Sequence, residues 1–252
     1  MRHGGFEECN GRMKSETPVD NLLARKQLLE TRVHAETALD NRLRELRTWQ
    51  AARLSRTYAD LHADPQFTRA VEFFLSDLYG PQDFTSRDRD LTRAWSYLRR
   101  TLPQAALDSL ARAIELQVLT IELDLELVAV LPAGPITQQT YEIAYRTAGK
   151  RGARVHQIDL IIASGEALNR IVRHAWIGLA LRAAHTPSHA AGFGALQDFL
   201  ERGFAAFREM NDAQRLLRTI RDRETRLMDA ILSASDRPVR ATDAAPVERA
   251  DD

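Results

Sequence analysis

One acidic side chain of the helix-forming segment 104–131 occupies a position where helical spacing calls for an apolar residue. At about 100° per residue, most acids of this segment share one face. They are Asp108, Glu115, Glu122 and Glu126. Asp124 lies on the opposite face, among leucine, isoleucine and valine. Because a buried ionised carboxylate needs a partner, Asp124 is predicted to belong to an internal polar network or a ligand site.

The segment 153–174 shows the same mixture of apolar and polar positions. Its polar side carries His156, Asp159 and Arg173, whereas Gln157 falls within the apolar face. The two faces predict a buried contact between Asp124 and Gln157. Such a network specifies packing in most helical proteins and binds a ligand in others, and both interpretations stay open here.

A third group of polar side chains surrounds a Gly-Pro break in FFLSDLYGPQDFTSRDRD, residues 73–90. Glycine and proline end a helix, and Thr85 or Ser86 can cap the next one. Most of the stretch is therefore explained as a corner between two helices, anchored by its phenylalanines. The alternative is a ligand or partner pocket at this corner. Its candidate side chains are Asp77, Tyr79, Asp83 and Arg87.

Known catalytic and metal-binding motifs are missing from the sequence. No Glu-x-x-His pair falls on a core-facing helix, and there is no phosphate loop or nucleophile elbow. His185 and His189 have Pro187 between them, which predicts that they do not form a helical metal clip. We therefore predict no catalytic residue, no metal site and no cofactor.

The composition excludes several other classes of function. Thirty-five basic residues balance 35 acidic ones, so no net charge attracts nucleic acid or an anionic membrane. The single cysteine excludes an intramolecular disulfide. No run of about 18 apolar residues predicts a membrane span, and no signal peptide is recognisable. These features predict a cytoplasmic protein.

Helical periodicity dominates the chain, and strand-like alternation is nearly absent. The pattern predicts an all-α, single-domain bundle of eight or nine helices with a long first helix at about 17–61. Residues 1–16 are predicted to be a disordered leader, with Met13 as an alternative start. The helical domain is predicted over residues 17–233, and a disordered tail over residues 234–252.

Three blocks of the sequence together resemble an uncharacterised family of bacterial all-helical proteins, a domain of unknown function. They are FFLSDLYGPQDF with the following RDRD, AYRTAGKR with QIDL, and AAGFGALQDFLERGFAAFREM. The resemblance covers about residues 20–230 and implies a helical fold with no established activity. His156 departs from the family's more arginine-rich approach to QID. No catalytic residue is therefore implied.

Two functions follow as expectations from these observations. The first is a non-catalytic protein that acts through protein–protein contacts, as a homo-oligomer or with another protein, and binds neither nucleic acid nor membrane. The second is a helical bundle, with or without enzymatic activity, that binds a small molecule or a metal through buried carboxylates. This second function requires Asp124, Gln157, His156 and the Asp77–Arg87 corner to converge around a cavity.

Overall fold

The computed structural model describes residues 18–78, 85–101 and 104–234. Within these ranges every regular element is helical, so the all-α prediction is confirmed. The elements are α1 (Pro18–Ala35), α2 (Thr37–Thr57), α3 (Ala59–Ala63), α4 (Thr68–Phe73), a π-helical turn (Phe74–Leu78), α5 (Thr85–Thr101), α6 (Gln104–Val130), α7 (Gln138–Ala148), α8 (Arg151–Ile171), α9 (Ala175–Ala190), α10 (Gly194–Arg208) and α11 (Ala213–Ser233). The predicted leader, nearly all of the predicted tail, and Tyr79 and Asp83 of the corner lie outside the described residues. None of the described helices combines the length and apolarity of a bilayer-spanning segment.

The prediction of a long first helix, in a bundle of eight or nine, is wrong. The described residues form eleven α-helices, because the chain breaks at Glu36, whose backbone is extended (φ −115°, ψ 92°), and again at Tyr58. Arg25 of α1 pairs with Glu122 of α6, and Arg47 of α2 reaches the nearby Asp124. The chain thus turns back at Glu36 and packs both helices against α6.

The break has a tertiary cause. A straight helix of 40 residues would be about 60 Å long, whereas the 27 residues of α6 span about 40 Å. An unbroken helix would therefore leave part of its apolar stripe without a partner, and a hairpin buries both halves. No glycine or proline lies between Val33 and Asp40, so no local signal marks the break.

Three hydrophobic clusters formed by the described residues hold these helices together. The largest joins α3, α4, α8, α10 and α11 around Phe67, Phe207 and Leu216. A second joins α2, α6, α7 and α11 around Leu46 and Leu127, and a third joins α1, α5 and α6. The helix α6 contributes to the second and third clusters, so it connects the helices of these two clusters.

The helix α9 does not end before its proline. It continues through Pro187 to Ala190. Proline removes one backbone donor and disfavours a helical residue before it. Only three helical residues follow Pro187, so this disturbance is confined to the last turn. His185 and His189 therefore share one helix, contrary to the prediction.

Candidate functional site

A cavity of about 130 Å³, partly open to solvent, lies between α2, α4, the π-helical turn, α6, α7, α8 and α11. Apolar walls come from Leu54, Val71, Leu75 and Ile158, among others. Charged and polar side chains also reach the cavity from five helices. They are Gln50, Arg53, Thr120, Asp124, Tyr141, Tyr145, Arg154, Gln157 and Glu224, together with Tyr58. The lining therefore combines apolar walls with several polar side chains that point into the cavity, as in small-molecule binding sites.

Asp124 is 4% exposed and faces this cavity from α6. Its carboxylate accepts hydrogen bonds from Nε of Arg47 at 3.3 Å and from the Gln50 amide at 3.2 Å. Burial raises the pKa of Asp124 above its ordinary value, and the charges of Arg47 and Arg154 oppose this rise. The predicted burial is thus found, but the partners come from α2, which sequence periodicity did not indicate.

Arg154 lines the cavity from the first turns of α8 and is 4% exposed. The short connection from α7, where Gly149 and Lys150 both have positive φ, brings this turn beside α7. Nε of Arg154 donates to the carbonyl of Gly149 at 3.0 Å, and the guanidinium lies 3.6 Å from the centre of the Tyr145 ring. Its Nη2 has no hydrogen-bond partner among the described residues. No described carboxylate forms an ion pair with Arg154.

Arg53 and Glu224 form a second charged group at the cavity. Nη1 of Arg53 donates to both carboxylate oxygens of Glu224, at 2.8 and 2.9 Å, and the Tyr58 hydroxyl donates to the same carboxylate. Burial lowers the pKa of Arg53, but the Glu224 charge and hydrogen bond outweigh it, so the pKa is raised. Arg53 is therefore a fixed cation whose Nε has no acceptor within the described part of the chain.

Two tyrosines complete the polar lining. Burial raises the pKa of Tyr141, against the charges of Arg53 and Arg154, and it raises the pKa of Tyr145 to about 12. Both side chains are therefore neutral phenols near neutral pH, able to donate a hydrogen bond. Trp49 stacks on Tyr141 with ring centroids 4.2 Å apart, which fixes the orientation of that ring.

The arrangement favours binding of an anionic or acceptor group over nucleophilic chemistry. Two buried guanidinium nitrogens, Nε of Arg53 and Nη2 of Arg154, have no acceptor among the described residues. A buried donor without a partner costs about 1–3 kcal/mol, which a bound acceptor would recover. Among the described side chains that line the cavity, Asp124 is the one whose pKa is shifted toward neutral pH. It is therefore the candidate general acid or base.

The sequence-predicted residues of α8 separate into two groups. Gln157 lines the cavity, but its amide donates to the Thr120 hydroxyl at 2.8 Å and not to Asp124, so the predicted direct contact is wrong. His156 is exposed and lies 2.8 Å from Glu115. Asp159 is exposed and accepts from Arg221, and Arg173 is exposed beyond the end of α8. These three side chains do not reach the cavity.

The two described residues of the predicted corner, Asp77 and Arg87, form a separate polar network. Asp77, 8% exposed, accepts two hydrogen bonds from Arg202 of α10, at 2.6 and 2.9 Å. Arg87, also 8% exposed, donates to the Asp77 carbonyl and lies 4.6 Å from the centre of the Phe199 ring. Because each charge has a partner, this network explains the corner as a structural joint between α5 and α10.

A close helix crossing supports the same joint. A Cβ at Gly203 would lie 2.8 Å from the Phe73 ring, so α10 approaches α4 more closely than another residue allows. The first and third sequence blocks thus pack directly on each other. Among the described residues of the corner, only Phe74 and Leu75 of the π-helical turn line the cavity.

Sequence reasoning missed the arginines of the cavity, although a signal was present. Arg154 precedes Ile158, Ile161 and Gly165 at the spacing of one apolar face. Arg53 follows Leu46 at seven residues, again on the buried side. A charged residue in phase with a core stripe is the same signal that identified Asp124, and it applies to basic residues as well.

Comparison with known proteins places the chain in a family without assigning an activity. A family model described as "Domain of unknown function (DUF8198)" matches residues 30–238. The match contains the whole cavity lining. No curated protein and no solved structure matches the chain. The resemblance to an uncharacterised all-helical family is confirmed, and the chain belongs to the DUF8198 family.

Proposed function

We propose that this protein binds a compact organic acid in its central cavity, with the acid group of the ligand paired to Arg154. The observation that carries the proposal is the buried Nη2 of Arg154, which has no hydrogen-bond partner among the described residues and belongs to a residue that lines the cavity. A carboxylate is the acceptor that a guanidinium prefers.

The cavity limits the size of the ligand. Its volume of about 130 Å³ is close to that of a cavity of roughly 150 Å³ that holds one benzene molecule. The apolar walls formed by Leu54, Val71 and Ile158 suit a hydrocarbon or aromatic body. The ligand class is therefore a small monocarboxylic acid with an apolar body, of which benzoate is a convenient probe.

Thermal unfolding with benzoate tests the proposal, and benzamide serves as the neutral control of the same shape. At a concentration of about 100 times Kd, a ligand adds about 2.7 kcal/mol to the free energy of unfolding. For a chain of this size, that corresponds to a rise in Tm of about 5–10 °C. Benzoate is expected to produce this rise in the wild type and not in Arg154→Met.

Arg146→Met is the matched control for this experiment. Arg146 also carries a buried Nε for which the described residues offer no partner, but it does not line the cavity. Its variant should keep the response to benzoate. The proposal is wrong if benzamide raises Tm as much as benzoate does, if benzoate leaves the wild type unchanged, or if Arg154→Met responds like the wild type while keeping its helical circular dichroism.

A second candidate function is the one expected from sequence, protein–protein contact. It is supported by two large apolar side chains one turn apart on α9, since Trp176 is 68% exposed and Leu179 is 62% exposed. Tryptophan at an exposed position is typical of the anchor residues of interfaces.

A further inference from the structure

The hairpin of α9 and α10 brings together histidines and carboxylates that do not line the central cavity. A tight turn joins the two helices, in which the amide of Phe193 donates to the Ser188 carbonyl and Gly192 has a φ of 77°. The last turns of α9 therefore face the first turns of α10. Two histidines on α9 meet two acids on α10.

His185 and His189 are one turn apart on α9, with ring centroids 4.6 Å apart. His189 Nε2 lies 2.8 Å from Oδ1 of Asp198, and His185 Nδ1 lies 3.1 Å from both carboxylate oxygens of Glu201. One ligand atom from each of His185, His189 and Asp198 can be chosen so that all three lie within 4.8 Å of one another. No other group of three or more such side chains this close occurs in the described part of the chain.

The separation between His189 and Asp198 is close to what a zinc ion requires. Zinc–nitrogen and zinc–oxygen distances of about 2.0–2.2 Å in a tetrahedral site place neighbouring ligand atoms about 3.3 Å apart. The His189–Asp198 separation of 2.8 Å needs to open by only a few tenths of an ångström. His185, His189 and Asp198 are 49%, 43% and 41% exposed, so their side chains have room to adjust.

We propose that His185, His189 and Asp198 bind a Zn²⁺ ion that links α9 to α10, with a water molecule as the fourth ligand. Two imidazoles and one carboxylate are a common ligand set for zinc. This site is independent of the central cavity and of the organic acid proposed for it.

The surrounding side chains orient the ligands. One ring nitrogen of His185 interacts with Glu201, which leaves the other for the metal. Glu201 is itself held by the amide of Gln197, a residue 5% exposed that donates at 2.8 Å to Glu201 and at 2.7 Å to the Leu181 carbonyl. The buried amide thus acts as a positioning residue for the carboxylate, and through it for His185.

Gly194 gives His189 the space that it occupies. A Cβ at this position would lie 2.7 Å from Nδ1 and 2.9 Å from Cε1 of His189. Any larger residue would displace the imidazole from its present position beside Asp198. The absence of a side chain at Gly194 therefore allows His189 to lie beside Asp198.

The test is isothermal titration calorimetry of the full chain with ZnCl₂, using protein that carries no histidine tag and has been treated with a chelator that is then removed. The wild type is expected to bind one Zn²⁺ per chain with a Kd of about 1 µM or below. His185→Ala, His189→Ala and Asp198→Asn should each weaken binding at least tenfold. Glu201→Gln should weaken it about tenfold through the loss of ligand orientation.

His156→Ala is the matched control, because His156 also lies 2.8 Å from a carboxylate, that of Glu115, but belongs to no cluster of three potential metal ligands among the described residues. This variant should bind zinc as the wild type does. Circular dichroism of each variant checks that the helices are retained. The proposal is overturned if the wild type binds more weakly than about 1 µM, if the double variant His185→Ala/His189→Ala binds as tightly as the wild type, or if His156→Ala loses the same affinity.

A second readout uses Co²⁺ in place of Zn²⁺. Tetrahedral Co²⁺ absorbs visible light more strongly than the octahedral hydrated ion does, so titration of the wild type should produce a strong visible band. The band should be absent from His189→Ala and present in His156→Ala. A spectrum identical to that of hydrated Co²⁺ in the wild type would overturn the proposed geometry.

Discussion

At Asp124, burial and hydrogen bonding shift the pKa of the carboxyl group in opposite directions. Burial raises the pKa, whereas the hydrogen bonds and charge of Arg47 and the Gln50 amide lower it, and burial is the larger effect. The folded protein therefore holds the Asp124 proton more tightly than the unfolded chain does. Between the two pKa values the native state binds more protons, so the free energy of unfolding decreases as pH rises.

Asp124→Asn tests this coupling by urea unfolding at several pH values. The wild type should lose stability relative to the variant as pH rises above about 4, by at most about 1.4 kcal/mol per pH unit, until the folded-state pKa is passed. Asp108→Asn, an exposed acid on the same helix, controls for the loss of one charge. A constant difference between wild type and Asp124→Asn over pH 4–8 would contradict the assignment of a raised pKa.

At the scale of elements, the crossing of α8 and α11 depends on Gly165. A Cβ built there would lie 2.4 Å from a methyl carbon of Leu217, whose side chain is 2% exposed. Because Leu217 is enclosed, it cannot move aside at low cost. Gly165→Ala is therefore expected to reduce the free energy of unfolding by about 1–3 kcal/mol, although alanine favours the helix by about 1 kcal/mol.

Gly152→Ala, on the same helix, separates the steric effect of an added Cβ from the effect of alanine on helix propensity. A Cβ at Gly152 meets no atom within 4 Å, so only the helix propensity changes. This variant should be unchanged or more stable by up to about 1 kcal/mol in chemical unfolding. Equal effects of Gly165→Ala and Gly152→Ala would show that α8 and α11 do not pack as closely as the structure indicates.

At the scale of the whole molecule, the expected homo-oligomer provides the test of protein contact. If copies of the chain meet through α9, light scattering of the wild type should give a multiple of the single-chain mass. Trp176→Ala with Leu179→Ala should then give the single-chain mass. Leu28→Ala, on α1 with a side chain 73% exposed, is the matched control for loss of exposed apolar surface. A wild-type protein of single-chain mass, or a mass that the α9 variant does not change, would contradict contact through α9.

The sequence by itself determined the helical class, the family and the burial of Asp124. These depend on local periodicity, since a residue's phase relative to the apolar stripe of its own helix decides whether it faces the interior. The same rule would have identified Arg53 and Arg154.

Only the tertiary structure decided which side chains meet. The partners of Asp124 lie more than 70 residues away on α2, and the reversal at Glu36 that brings them close has no glycine or proline to mark it. The proximity of His189 to Asp198 likewise depends on a helix that tolerates Pro187 and on the hairpin that follows it. Periodicity indicates which face of a helix is buried. Which other helix packs against that face depends on the whole chain, because all helices must bury their apolar faces at the same time.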